Sequence, residues 1–205
     1  MKMKKLLAVV LTGVMAVSML TGCATLDARN IASDLEGMLK VVNNKATVSA
    51  TNDAKDLAAK AAKAVQADTT EWVAPASEAE GSEEKTPVSM EDAVKAKLET
   101  DKITDKYVWY ACYKSEDVKN VAQAQEIYDL LVANKNINTS KALNSKQVTD
   151  KKEGEKTFKP SAGNKFELGL KTFTKGTGKD KTEYTVVIVT CKAVYSEAPA
   201  ADQKN

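Results

Sequence analysis

The chain predicts an α+β fold: N-terminal helices, then a β-α-β-β order with an antiparallel sheet packed by helices. Three observations carry this. Two helical stripes precede the first strong strand signal. Lys106–Tyr113, KYVWYACY, is short and dense in aromatic and β-branched residues, as strands are. Thr182–Tyr195 contains the run Tyr184–Cys191, YTVVIVTC, apolar on both faces, which is the pattern of a central or doubly covered strand.

Each element has its own signal. Across Leu26–Asn43, Ile31, Leu35, Met38, Leu39 and Val42 share one helical stripe, with Asp27 placed to cap it. Gly37 weakens that helix by ~1 kcal/mol relative to Ala. Asn43–Thr51 reads as turn, with a short strand available at Ala46–Ala50. Asn52 or Asp53 then caps a helix over Ala54–Gln66, whose small residues permit close packing. The two helices are expected to form an antiparallel hairpin. Asp68–Val88 gathers glutamates with Pro75, Gly81, Ser82 and Pro87, so a disordered linker is expected, with Trp72 at its start.

Structure resumes with a capping-box pattern, Ser89-Met90-Glu91-Asp92, opening a helix to about Thr100. After the Lys106–Tyr113 strand, which both-face apolarity places in the sheet centre or under cover on both sides, Ser115 caps a helix over Glu116–Ala133. Val118, Val121, Ala122, Ile127, Tyr128, Leu130 and Leu131 form its apolar stripe. Asn134–Gly163 is polar and lysine-rich and reads as loop, with one helical turn at Lys141–Asn144. Phe166, Leu168 and Leu170 alternate along a strand over Lys165–Thr174, Lys175–Lys181 is a hairpin turn, and the tail frays from Ser196.

The first 23 residues carry an address. Lys2, Lys4 and Lys5 precede an uncharged run, Leu6–Leu20, which is shorter than the ~20 apolar residues that span a bilayer. A basic start, a short apolar core and small residues describe an export signal. Leu20-Thr21-Gly22-Cys23 resembles the lipobox of bacterial lipoproteins. The resemblance implies that residues 1–22 are removed and that the Cys23 thiol carries a diacylglycerol, its acyl chains of the palmitate kind. It further implies a protein held on the extracytoplasmic side of a cell membrane. Two acyl chains hold where one would be marginal. Ala24 stands where an Asp would signal retention at an inner membrane in that family. The chain then divides into a signal peptide (1–22), a lipid-anchored helical segment (23–66), an acidic linker (67–88), an α+β domain (89–195) and a tail (196–205).

The 205 residues hold 30 basic and 28 acidic side chains and no histidine. Without the three signal lysines the balance is −1, which gives no global pull toward nucleic acid. The charge is nevertheless segregated. Ala67–Asp105 has eleven acids and four lysines, and Lys135–Lys181 has twelve lysines and five acids. Two solvated surfaces are one reading, and a basic segment that meets wall polyanion or lipid headgroups is the other. Lacking histidine, the chain has no Ser-His-Asp or Cys-His arrangement and no His metal site.

Cys112 and Cys191 both fall on expected central strands. In an exported protein they could form a disulfide, closing a loop of ~80 residues worth ~4.5 kcal/mol in the chain-entropy account. They could equally be two buried thiols acting as small apolar groups. Gly176-Thr177-Gly178-Lys179 lacks the spacing and the Ser/Thr of a phosphate loop. Ser82-Glu83-Glu84-Lys85 matches S-x-x-K but lies in the acidic linker.

No catalytic, cofactor or metal residues are expected. The leading expectation is a non-enzymatic envelope lipoprotein that binds an envelope protein, a wall polymer or a small ligand. A structural or assembly component is the alternative, and a carboxylate-based hydrolase of wall polymers a further one. Glu167 and Glu183 fall on strand positions that face solvent.

Overall fold

The long C-terminal hairpin is the frame on which the other elements are laid. The computed structural model describes residues 28–67, 97–115, 120–175 and 181–199. In chain order these form α1 (28–39), β1 (Thr47–Ala50), α2 (Asn52–Ala67), a 3-10 turn (Thr100–Lys102), β2 (Lys106–Lys114) and α3 (Asn120–Leu131). There follow β3 (Val132–Ala133), β4 (Asn136–Ile137), a second 3-10 turn (Thr139–Lys141), β5 (Lys151–Glu153), β6 (Lys156–Lys175) and β7 (Thr182–Glu197). β6 and β7 pair antiparallel from Phe158↔Glu197 to Lys175↔Thr182. β2 pairs antiparallel with β7, and β5 with β6. The sheet order is β1-β6-β7-β2, with β5 on β6 beyond that path. β1 alone runs parallel, so an otherwise antiparallel sheet is mixed at one edge.

The fold class is α+β, as the sequence predicts. Two cores explain the both-face apolarity of β2 and β7. On one face α1 (Ile31, Leu35, Leu39) and α3 (Ala124, Ile127, Leu131) bury Trp109, Phe166, Val187 and Val189. On the other, α2 (Ala58, Ala61, Ala62, Val65) and Leu98 bury Val108, Phe173, Val186 and Ile188. β7 is central. β2 is an edge strand covered on both faces, so two apolar faces report cover and not a central position. Trp109 is fully buried and its Nε1–H donates to the Asn138 carbonyl at 3.1 Å.

The expected α1–α2 hairpin does not form. β1 separates the two helices, and they pack on opposite faces of the sheet. Thr51, not Asn52 or Asp53, caps α2: its Oγ1 accepts from the Ala54 N–H at 3.3 Å. α2 sits very close to β6 at Gly169. A Cβ built there would lie 2.0 Å from the Ala54 carbonyl carbon, so only glycine admits the helix.

Several boundaries also move. α1 ends at residue 39, short of Asn43. α3 stops at Leu131, where Val132–Ala133 and Asn136–Ile137 make a small hairpin. Asn134 (φ 50°) and Lys135 (φ 65°) give that hairpin two positive-φ central residues, a type I′ turn. The end of the expected Asn134–Gly163 loop, from Lys151 onward, is largely strand. β5 and the start of β6 form a hairpin closed at Glu153↔Lys156, with Gly154 at φ 62°. Lysine-rich composition hid these strands, because one face of each is solvated. The helical turn lies at Thr139–Lys141, at the start of the Lys141–Asn144 expectation. β7 runs to Glu197, two residues into the expected tail. Asp27, the Ser89–Asp92 box, Trp72, the 68–88 linker and the Gly176–Lys179 turn lie outside the described residues, as do residues 116–119 of the expected helix.

Candidate functional site

An open cleft lies along the outer edge of β2. Its construction begins with an edge that needs covering, since β2 presents alternate N–H and C=O groups away from β7. Asn144 supplies the cover. It is fully buried, its Oδ1 accepts from the Val108 N–H at 3.0 Å, and its Nδ2 donates to the Ile103 and Lys106 carbonyls at 2.7 Å each. The Leu143 N–H donates to the Val108 carbonyl at 2.7 Å. One asparagine side chain and one backbone amide thereby stand in for a neighbouring strand. They hold the segment after Thr139–Lys141 against β2.

Beside this bracket the chain leaves a cleft of about 960 Å³. One wall is the turn Glu99–Lys102, with Glu99 in the left-handed region at φ 48°. The other carries Ser140, Lys141, Lys146 and Gln147, and Tyr110 and Leu130 supply the inner surface. Lys102 Nζ pairs with Glu99 Oε1 at 2.8 Å. The hydrogen bond from Lys102 holds the Glu99 carboxyl below the usual carboxylate range and raises the lysine in return. The cleft therefore offers fixed charges of both signs, hydroxyls and an amide. Such a lining holds a polar ligand by hydrogen bonds.

Every displaced proton affinity among the described residues moves away from neutrality. Glu36 is lowered by the hydrogen bond from Lys40 and by the Val48 N–H, which donates to its Oε2 at 2.9 Å. Burial raises Tyr107 and Tyr113. Burial pushes the Cys112 thiol up to about 11 and the Cys191 thiol up to about 12. General acid–base work favours a group poised near the working pH, and these shifts run the other way.

Cys23 lies outside the described residues. Cys112 and Cys191 are free thiols, which corrects the disulfide alternative. The register explains it. Cys112 stands opposite Val186 while Cys191 stands opposite Tyr107, and the two side chains enter opposite cores. Adjacent strands alone do not suffice for a bridge. Glu167 is half-buried and accepts from the Thr190 hydroxyl at 2.9 Å, which corrects its expected solvent-facing place. Glu183 is exposed, seven ladder positions along β7 from Thr190 and on the opposite face, ~23 Å away. The two carboxylates do not converge. Among the described residues there is no cluster of metal-ligating side chains, and no helix is long and apolar enough to cross a membrane.

Sequence reasoning missed the cleft and its bracket. Asn144 sits in an ordinary turn-like stretch, and its partners are 36 to 41 residues away, so no local pattern marks it. No protein-family model, no curated protein and no solved structure matches this chain.

Proposed function

We propose that this protein is an extracytoplasmic lipoprotein, anchored through a diacylglycerol on Cys23, whose α+β domain is a binding module at the cell envelope and not an enzyme. The observation that carries the reading is the ordered signal: Lys2, Lys4 and Lys5, the apolar Leu6–Leu20, then Leu20-Thr21-Gly22-Cys23. The cleft beside β2 supports the binding half, since its lysines, carboxylates, hydroxyls and amide suit a polar ligand. The absence of histidine from the chain and the outward direction of the displaced proton affinities support the non-catalytic half.

Cys23→Ser tests it. The parent chain, expressed in a bacterium, is expected in the membrane fraction with a mature mass that includes two acyl chains and lacks residues 1–22. The variant is expected to lose both the lipid mass and stable membrane association. Unchanged mass and unchanged sedimentation with membranes would overturn the anchor.

A further inference from the structure

Among the described residues, the end of the sheet beyond α2 presents an uncovered face that is almost wholly basic. Ladder parity puts Lys106 of β2, Lys192 of β7, Lys159 and Lys165 of β6, and Lys152 of β5 on the face that carries Val108, Val186 and Ile188. α2 and Leu98 cover that face around Gly169–Phe173, Val108, Val186 and Ile188, leaving the lysine end open among the described residues. Four of the five are exposed and Lys106 is half-buried. None has an ion-pair partner among the described residues. Lys106 and Lys192 stand directly opposite one another, a like-charge pair that costs stability unless something neutralises it. The neighbouring positions on the face are small or neutral: Thr157, Ser161, Val194 and Ser196. Glu167 is the acid on this face, and the Thr190 hydroxyl already donates to it. Asp105 and Glu155 sit at the margins, in the turn before β2 and at the β5–β6 hairpin tip.

We propose that this five-lysine sheet face is a docking surface for a phosphate-bearing polymer of the cell envelope. The proposal deepens the binding-module reading and rests on it only for the compartment. Flat pleated geometry spaces alternate lysines along a strand by ~6.7 Å and neighbouring strands by ~4.8 Å, which suits an extended chain of repeating charges. The position disfavours the lipid headgroup layer as the partner. Ala28, at the start of α1, lies with Leu168–Leu170 midway along β6; Lys165 is three residues from Leu168, ~10 Å along the strand, and Lys159 nine residues, ~30 Å. α1 also packs on the opposite face of the sheet. The five residues from Cys23 to Ala28 reach at most ~17 Å. The start of α1 and the lysine face are thus on opposite faces of the sheet, and Lys159, at the far end of the face, lies beyond that reach.

The test uses the full-length chain in non-ionic detergent, with linear inorganic polyphosphate as the probe, titrated calorimetrically at 50 and 200 mM salt. Five phosphate contacts release counter-ions with a slope of about −3.5 in log affinity against log salt, roughly a hundredfold loss across that range. The variant K106S/K159S/K192S is expected to bring the slope to about −1.4. K55S/K60S/K63S, on the exposed side of α2, removes the same charge and is expected to leave it near the parent. Matching thermal midpoints and circular dichroism keep the comparison between folded chains. Equal weakening in both variants, or an unchanged slope in the first, overturns the proposal. So does binding to anionic phospholipid vesicles without binding to polyphosphate, which would give the face to headgroups. The titration reads the folded domain whether or not Cys23 is acylated, so its failure and that of the anchor are separable.

Discussion

Cys191 shows how one residue's environment sets its chemistry. It is buried against Tyr107, and burial raises its thiol from 9.0 to about 12. A thiol raised in the native state keeps its proton while the unfolded chain loses one. Its contribution to stability is therefore whole below about pH 9 and is lost as pH climbs toward 12. Urea midpoints between pH 8.5 and 11 are expected to fall, and Cys191→Ala is expected to flatten that fall. Each thiol accounts for at most ~1.4 kcal/mol per pH unit. An unchanged slope in the variant would contradict the burial argument. The sequence placed Cys191 on a strand inside an apolar run, and so identified it as buried. It could not decide between thiol and disulfide, because face and register belong to the strand pair.

At the scale of elements, the docking of α2 on β6 turns on a missing side chain. The Ala54 backbone occupies the space where a Cβ on Gly169 would be, at 2.0–2.1 Å. Gly169→Ala must push the helix outward or twist the strand, and overpacking of this kind costs about 3 kcal/mol. Chemical denaturation reads it as a lower midpoint; a loss under about 0.5 kcal/mol would mean that the helix floats. Part of this was legible beforehand. A glycine inside an alternating strand marks close backbone approach, and the Ala-rich face of the second helix marks a close-packing partner. What joined the two signals was the crossover through β1, which no local pattern reports. The same crossover is why the expected helical hairpin is absent. Thr47–Ala50 inserts between the helices and pairs with β6 over Thr47↔Lys165 to Ala50↔Leu168.

For the whole molecule, one sheet with cover on both faces means that neither part of the chain completes a core alone. α1 and β1 contribute Ile31, Leu35, Leu39 and Val48 to the core around Trp109 and Phe166. Deleting residues 28–50 is expected to uncover that face. The truncated chain should bind a hydrophobic dye and lose cooperative thermal unfolding. A sharp transition in that chain would show that the rest folds without α1 and β1. The sequence by itself determined the α+β class, the position of the main helices and strands and the lack of imidazole chemistry, and it alone carries the pattern on which the proposed export signal rests. These follow from composition and from periods of two and 3.6 residues, which are local. Tertiary structure decided which face each helix covers, the edge position of β2, the Asn144 bracket, the free thiols and the gathering of five lysines onto one face. Each of these depends on register between segments far apart in the chain, and a side-chain period carries no record of its partner.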